Sequence, residues 1–322
     1  MNSKINEIIA GVYQIDGDAI IYSDTDSSYF SAEKIIERDP DLAAMFESRD
    51  TIIALYDEIA NQVNGTFPGF MNEAFNVAEE KSVIKAGREL VGSKGLFITK
   101  KRYALLYYDK EGTRLDVENK PGKIKAMGLD LKRSDTPKLM QTFLENMLLE
   151  LLTGSGETEI INMIKDFRAK FRDLPGWEKG TPKRVNGISN YSNRLDNNNN
   201  SDPFKMKSKK DKKENTMIPG HVQASMNWNL LRKMNGDNYS LEIQDGQKVI
   251  VCRLKPNPLR MDSIAYPIDQ MQLPDWYKDL PFDHETMEST IIDKKVGNLI
   301  GILNWDLRNT REDTTFNDLF SF

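Results

Sequence analysis

Apolar positions in this chain change their spacing several times, and each change marks an element. Ile5, Ile8, Ile9 and Val12 recur at helical intervals near the start. The run Ile20-Ile21-Tyr22 then leads through Ser23-Asp24-Thr25-Asp26-Ser27-Ser28 into a second apolar run at Tyr29-Phe30. That pattern predicts two short strands joined by a tight turn, with two carboxylates at its tip. A helix is expected from about Arg49 through Asn64, burying Ile52, Ile53, Leu55, Tyr56, Ile59 and Val63. Two or three strands follow across residues 83–117, with Gly112 as the turn of a hairpin.

From about Met127 the pattern becomes more helical. Thr136-Pro137 supplies an N-cap followed by proline at the first helical position. Leu139, Phe143, Met147 and Leu151 then repeat every four residues, and Gly154-Ser155-Gly156 breaks the run. A second amphipathic helix carries Ile160, Ile164, Phe167 and Phe171. These stripes read as core packing. Residues 248–254 read as a buried strand, and a last helix is expected near residues 285–303. The fold class expected is α+β: a partial antiparallel sheet with helices over residues 1–126, then a mostly helical part over residues 127–322.

Composition narrows the chemistry. The chain has 322 residues, 39% hydrophobic and 29% charged, enough for one large or two medium domains. One cysteine, Cys252, excludes an internal disulfide framework and suits a reducing cytoplasm. Two histidines, His221 and His284, are too few for a zinc cluster. No signal peptide or spanning apolar run is present, so no membrane is expected. The net charge of −5 argues against a uniformly basic nucleic-acid binder. Between Lys81 and Lys138, however, Lys and Arg outnumber Asp and Glu about two to one, the local concentration a phosphate-binding face needs. A second basic cluster runs from Lys205 to Lys213 in a low-complexity, asparagine-rich stretch, where a solvated surface explains it equally well.

Asp24 and Asp26 are the leading candidates for chemistry. Two carboxylates one residue apart at a hairpin tip offer hard oxygen ligands to a divalent cation, which phosphoryl-transfer enzymes require. The plain alternative is a solvated acidic turn. A calcium loop fails on spacing, because the sixth residue from Asp24 is Tyr29 rather than Gly and the twelfth is Ile35 rather than Glu. The segment from Gly87 to Lys94 is one residue off the phosphate-loop pattern and reads as a glycine-rich turn.

Tyr22-Ser23-Asp24-Thr25-Asp26-Ser27 resembles the Y-G-D-T-D-S palm motif of family B DNA polymerases, with Ser23 in place of the usual glycine. Lys100-Lys101-Arg102-Tyr103 resembles the K-K-R-Y motif that follows it in that family. Gly92-Ser93-Lys94-Gly95, Glu111-Gly112-Thr113-Arg114, Met127-Gly128-Leu129, Ser134-Asp135-Thr136-Pro137 and Leu319-Phe320-Ser321-Phe322 resemble, in order, the replicative polymerases of T-even-type bacteriophages. The family's exonuclease domain, first palm motif and fingers helix have no match here.

The resemblance implies the C-terminal subunit of a split DNA-directed DNA polymerase: residues 1–126 as part of the palm, 127–322 as the thumb with a clamp-binding tail. It implies two Mg2+ ions shared with a partner chain, with Asp26 as a direct ligand, Asp24 in support and Glu80 as a further candidate. Glu80 reads equally well as an exposed acid at a helix end. Lys100, Lys101, Arg102 and Tyr103 would bind DNA from a strand, Lys101 at the primer terminus and Tyr103 near the template–primer junction. An edge-strand charge cluster is the other explanation for that motif. Leu319, Phe320 and Phe322 would dock on a sliding clamp. The partners implied are primer-template DNA, dNTP, the clamp and an N-terminal polypeptide carrying the exonuclease, first palm motif and fingers, in the cytoplasm of a bacterial host. That polypeptide would also cover the Ile5–Val12 stripe and the open edge of the hairpin. The alternative is a non-catalytic DNA-binding or clamp-binding accessory protein derived from a polymerase.

Overall fold

Helices and small antiparallel sheets alternate through the computed structural model, which describes residues 1–14, 17–37, 48–192, 207–208 and 218–310 and has an α+β fold. Its contacts divide the chain into two units. One is Met1–Leu129 with Leu148–Gly154; the other is Asp130–Met147 with the residues from Ser155 onward.

In the first unit, helix α1 (Asn2–Tyr13) buries Ile5 and Ile9 against Leu55, Ile59 and Val63 of helix α3 (Arg49–Phe75). Ile35 of the short helix α2 (Glu33–Glu37) and Ala32 just before it complete this core. The expectation that another chain must cover the Ile5–Val12 stripe is therefore corrected. The protein's own α3 covers Ile5 and Ile9, Ile8 packs at the margin, and only Val12 of the four is left 57% exposed. Ser48 caps α3, its side chain accepting from the Asp50 N–H. The helix continues past its expected end at Asn64, through Pro68, to Asn76 in a left-handed conformation. Beyond Val63 no residue is fully buried, although Phe67 continues the i+4 series onto the margin of the core; Gly65, Pro68 and Gly69 interrupt the helical signal in the sequence.

Strands β3 (Leu90–Thr99) and β4 (Arg102–Lys110) form the antiparallel heart of a four-stranded sheet. β5 (Thr113–Arg114) and β6 (Lys123–Met127) both pair with β4. Glu111 and Gly112 make the two-residue turn expected there, both with positive φ, which matches the twist of a hairpin. Gly92 to Lys94 lie within β3 at an irregular register, not in a turn. A Cβ on Gly92 would sit 2.6 Å from Leu105 Cδ1 and 2.9 Å from the Leu106 carbonyl oxygen, so glycine here serves close packing. Arg88 ties the sheet to α3 through Asp57, at 2.6 Å, and the buried Asp109.

The second unit is built on helices α4 (Lys138–Thr153) and α5 (Glu157–Asp173), α4 belonging in part to each unit. Phe143 and Phe167 stack with centroids 4.0 Å apart. In the same unit, β8 (Tyr191–Ser192) pairs with β9 (Lys207–Ser208), and β7 (Thr181–Arg184) is the edge of a three-stranded antiparallel sheet whose order is β11 (Ser263–Pro267), β10 (Lys248–Arg253), β7. Helix α6 (Gly220–Met234) shares a core with this sheet, centred on the fully buried Trp228. The helix expected over residues 285–303 is realised as successive α, π, α and 3-10 segments from His284 to Leu303. Arg168 on α5 is buried between Glu288 and Asp293, which offset its charge. Among the described residues, no helix is long and apolar enough to cross a membrane.

Candidate functional site

The two acids sit where the apolar pattern put them. Strand β1 (Ile20–Asp24) and strand β2 (Ser27–Phe30) pair antiparallel with Asp24 opposite Ser27, leaving Thr25 and Asp26 as a two-residue turn. Thr25 takes φ 41°, a left-handed conformation that a β-branched residue adopts at a cost. Ser23, which stands where a glycine was expected, is extended in β1 and donates its hydroxyl to the Ser27 carbonyl at 3.2 Å. Asp26 is exposed at the tip, whereas the Asp24 side chain is 24% exposed. Helix α1 anchors the entry to the hairpin: Asn6 donates to Asp18 at 2.9 Å and accepts from the Ala19 N–H at 3.1 Å.

Lys100 and Lys101 form the two-residue turn between β3 and β4, a correction to the expected strand. Lys101 takes φ 62°, so the motif presents its lysines from a turn and only Arg102 and Tyr103 from a strand. The Lys101 ammonium lies 3.7 Å from Asp24 Oδ2, and its backbone N–H donates to the Tyr22 hydroxyl at 3.0 Å. Tyr103 is 3% exposed. Its ring lies with Tyr22, Tyr29 and Phe97 at centroid distances of 5.3 to 6.1 Å across the four-ring group. Its hydroxyl is 2.9 Å from that of Tyr29. Burial first, then this hydrogen bond, pushes the Tyr103 phenol well above its ordinary pKa. Tyr103 thus clamps the acidic hairpin to the larger sheet rather than offering its ring to a ligand. Lys125 on β6 stands 5.7 Å from the Tyr29 ring centre. Burial opposes the Lys125 charge, but hydrogen bonds to Glu89 and Tyr29 outweigh it and raise its pKa.

Glu80 occupies an exposed 3-10 turn (Glu79–Lys81) after α3. Among the described residues, no group of three or more His, Cys, Asp or Glu is placed to hold a metal, so Glu80 does not join Asp24 and Asp26. Two carboxylates with hard oxygen donors fit a Mg2+ ion as part of a ligand set, the rest of which the described residues do not supply. Leu319, Phe320 and Phe322 lie outside the described residues, as do the lysines at 205, 209, 210, 212 and 213.

Comparison with known proteins gives this geometry a context. The chain is 28% identical over 276 residues to the DNA-directed DNA polymerase of Escherichia phage RB69, covering 82% of this chain and 28% of that protein. It is 27% identical over 275 residues to the DNA-directed DNA polymerase of Enterobacteria phage T4, with the same coverage of both chains. This chain is homologous to phage DNA-directed DNA polymerases. A shorter match, 27% identical over 150 residues, covers 45% of the chain and 11% of a DNA polymerase from Invertebrate iridescent virus 6. No protein-family model matches the chain. The match thus spans little more than a quarter of the length of the phage polymerases.

The polymerase homology does not by itself point to several residues that build the site. Asn6, Asp18, Tyr29 and Phe97 carried no chemical signal in sequence, where an aromatic in a strand reads as core. The alternation of Tyr22 with Asp24 along β1 was the one available hint, because residues two apart share a face.

Proposed function

We propose that this chain supplies the C-terminal palm and thumb of a DNA-directed DNA polymerase and works with a polypeptide carrying the exonuclease, first palm motif and fingers. The observation that carries the reading is Asp26 exposed at the tip of a hairpin, with Asp24 beside Lys101, in a chain homologous to phage polymerases over 82% of its length. Asp26 and, in support, Asp24 would hold Mg2+ together with a carboxylate of the partner. So bound, the metal ions would lower the pKa of the primer 3′-hydroxyl and hold the triphosphate of the incoming dNTP.

The residues of this chain orient and bind. Lys101 extends its ammonium over the hairpin tip, where it can donate to minor-groove acceptors that every correct base pair presents, sensing pair geometry without reading sequence. Lys100 and Arg102 flank it as phosphate contacts, and Tyr103 fixes the hairpin beneath. The terminal Leu319, Phe320 and Phe322 supply aliphatic and aromatic anchors for a sliding clamp, a common peptide-docking mode. Primer extension by the assembled enzyme in the bacterial cytoplasm is the activity expected.

That assay is also the test. With purified chain, partner polypeptide, magnesium and primer-template, Asp26→Ala should abolish incorporation while duplex binding stays within a few-fold. Trimming Leu319–Phe322 should shorten products only when the clamp is present. Incorporation by Asp26→Ala close to that of the unaltered assembly, or robust extension by this chain without a partner, would overturn the respective assignment.

A further inference from the structure

Tyr22 and Asp24 lie two residues apart on β1, so they share one face of the strand. Both reach the same residue. The Tyr22 hydroxyl accepts from the Lys101 backbone N–H at 3.0 Å, and the Asp24 carboxylate lies 3.7 Å from the Lys101 ammonium. One strand face therefore fixes the Lys101 backbone and places a carboxylate near its charged end. The backbone contact matters because Lys101 sits in a left-handed turn conformation that lysine does not favour. Its side chain is 62% exposed, with a stem free to adopt many rotamers. A contact that fixes the Cα of such a residue limits where its ammonium can go.

We infer that Tyr22 is a positioning residue: its hydroxyl fixes the Lys100–Lys101 turn so that the Lys101 ammonium is presented at the tip of the acidic hairpin. The functional half of this inference rests on the proposed polymerase reading, in which Lys101 meets the primer terminus. Tyr22 then couples the two motifs. A displacement of the lysine turn pulls on the strand that carries Asp24, and a displacement of Asp24 moves the hydroxyl that holds the turn. The aromatic ring has a separate task, packing against Tyr29, Phe97 and Tyr103. Tyr22→Phe keeps the ring and deletes only the hydroxyl.

The experiment combines hydrogen exchange with a double-mutant cycle on the full chain. Exchange at the Lys101 amide should speed up about threefold to tenfold in Tyr22→Phe, the size of one lost hydrogen bond. The dissociation constant for a fluorescein-labelled primer-template duplex should rise by a similar factor. In a Lys101→Ala background, Tyr22→Phe should add no further weakening, because the side chain it positions is gone. Unchanged exchange at Lys101, or the same loss of duplex affinity in both backgrounds, would refute the positioning role. A wild-type chain that binds no duplex would instead refute the polymerase reading, and the Lys101 exchange rate would still decide whether Tyr22 holds the turn.

Discussion

The hairpin bearing Asp24 and Asp26 and the sheet beside Trp228 are both antiparallel, yet they are supported in opposite ways. β1 and β2 pair only with each other among the described residues, and a lone two-stranded hairpin is marginal in water. Its support comes from Ile20 and Phe30, which pack at its base on the α1–α3 core, and from a few further contacts: Tyr103, Tyr29, Asn6 and the Lys101 turn. In the second unit, β10 is paired on both sides. Its Val249 and Cys252 are fully buried, and Trp228 is enclosed with its indole N–H donating to the Leu241 carbonyl at 2.8 Å. Burial also pushes the Cys252 thiol up to about 12, so it behaves as a small apolar group. The lesson is a division of labour. The hairpin leaves its polar tip bare, whereas the region around Trp228 secures its fold by excluding water.

The largest expected effect tests the well-buried side of that contrast. Trp228→Ala should cost about 3–5 kcal/mol through lost burial and a cavity. All four tryptophans lie in the second unit, so their fluorescence in a urea titration reports that unit directly. A loss below about 1 kcal/mol would mean that the core collapses easily around the site, and the contrast would fail. A smaller effect probes the hairpin. Tyr29→Phe deletes one partner of the hydroxyl pair and should cost about 1 kcal/mol. Amide exchange across β1 and β2 should speed up while tryptophan-detected unfolding stays put. Coincident changes in both would show that the hairpin is no more independent than the rest.

The smallest effect is a pH response in the second unit. Asp237 is brought down to about 2: burial opposes this, but hydrogen bonds from Ser240, Trp276 Nε1 and the Tyr239 N–H outweigh it. Because its folded pKa lies below the unfolded value, its contribution is complete above about pH 4 and is lost as pH falls toward 2. Asp237→Asn should flatten the tryptophan-detected stability profile in that window and leave the neutral region nearly parallel. An unchanged acid slope would remove Asp237 from the set of groups that secure this core.

Local pattern made much of the fold legible. Helical spacing marked α3 and α5, the Thr136-Pro137 signal preceded α4, and a short apolar run marked β10. The turn at Gly112 and the hairpin around Asp24 were readable because turn chemistry and strand alternation are properties of neighbouring residues. The end of α3 was not, since Gly65, Pro68 and Gly69 read as helix breakers even though Phe67 continues the i+4 series onto the core margin. The place of Gly92 was also hidden, because its neighbour Leu105 is brought to it only by strand pairing.

Sequence alone therefore determined that two acids sit one residue apart at a hairpin tip, that a lysine pair precedes an arginine and a tyrosine, and that the order of motifs resembles phage polymerases. Tertiary structure decided the rest of the site. It placed Lys100 and Lys101 in a turn with Lys101 left-handed, buried Tyr103 against Tyr29, set Tyr22 under the Lys101 amide, left Glu80 apart from the acidic pair and covered Ile5 and Ile9 with the protein's own helix. Those outcomes depend on contacts between residues far apart in sequence, up to 79 positions for Tyr22 and Lys101. Periodicity reports which face of an element is apolar; it says nothing about which distant face will meet it.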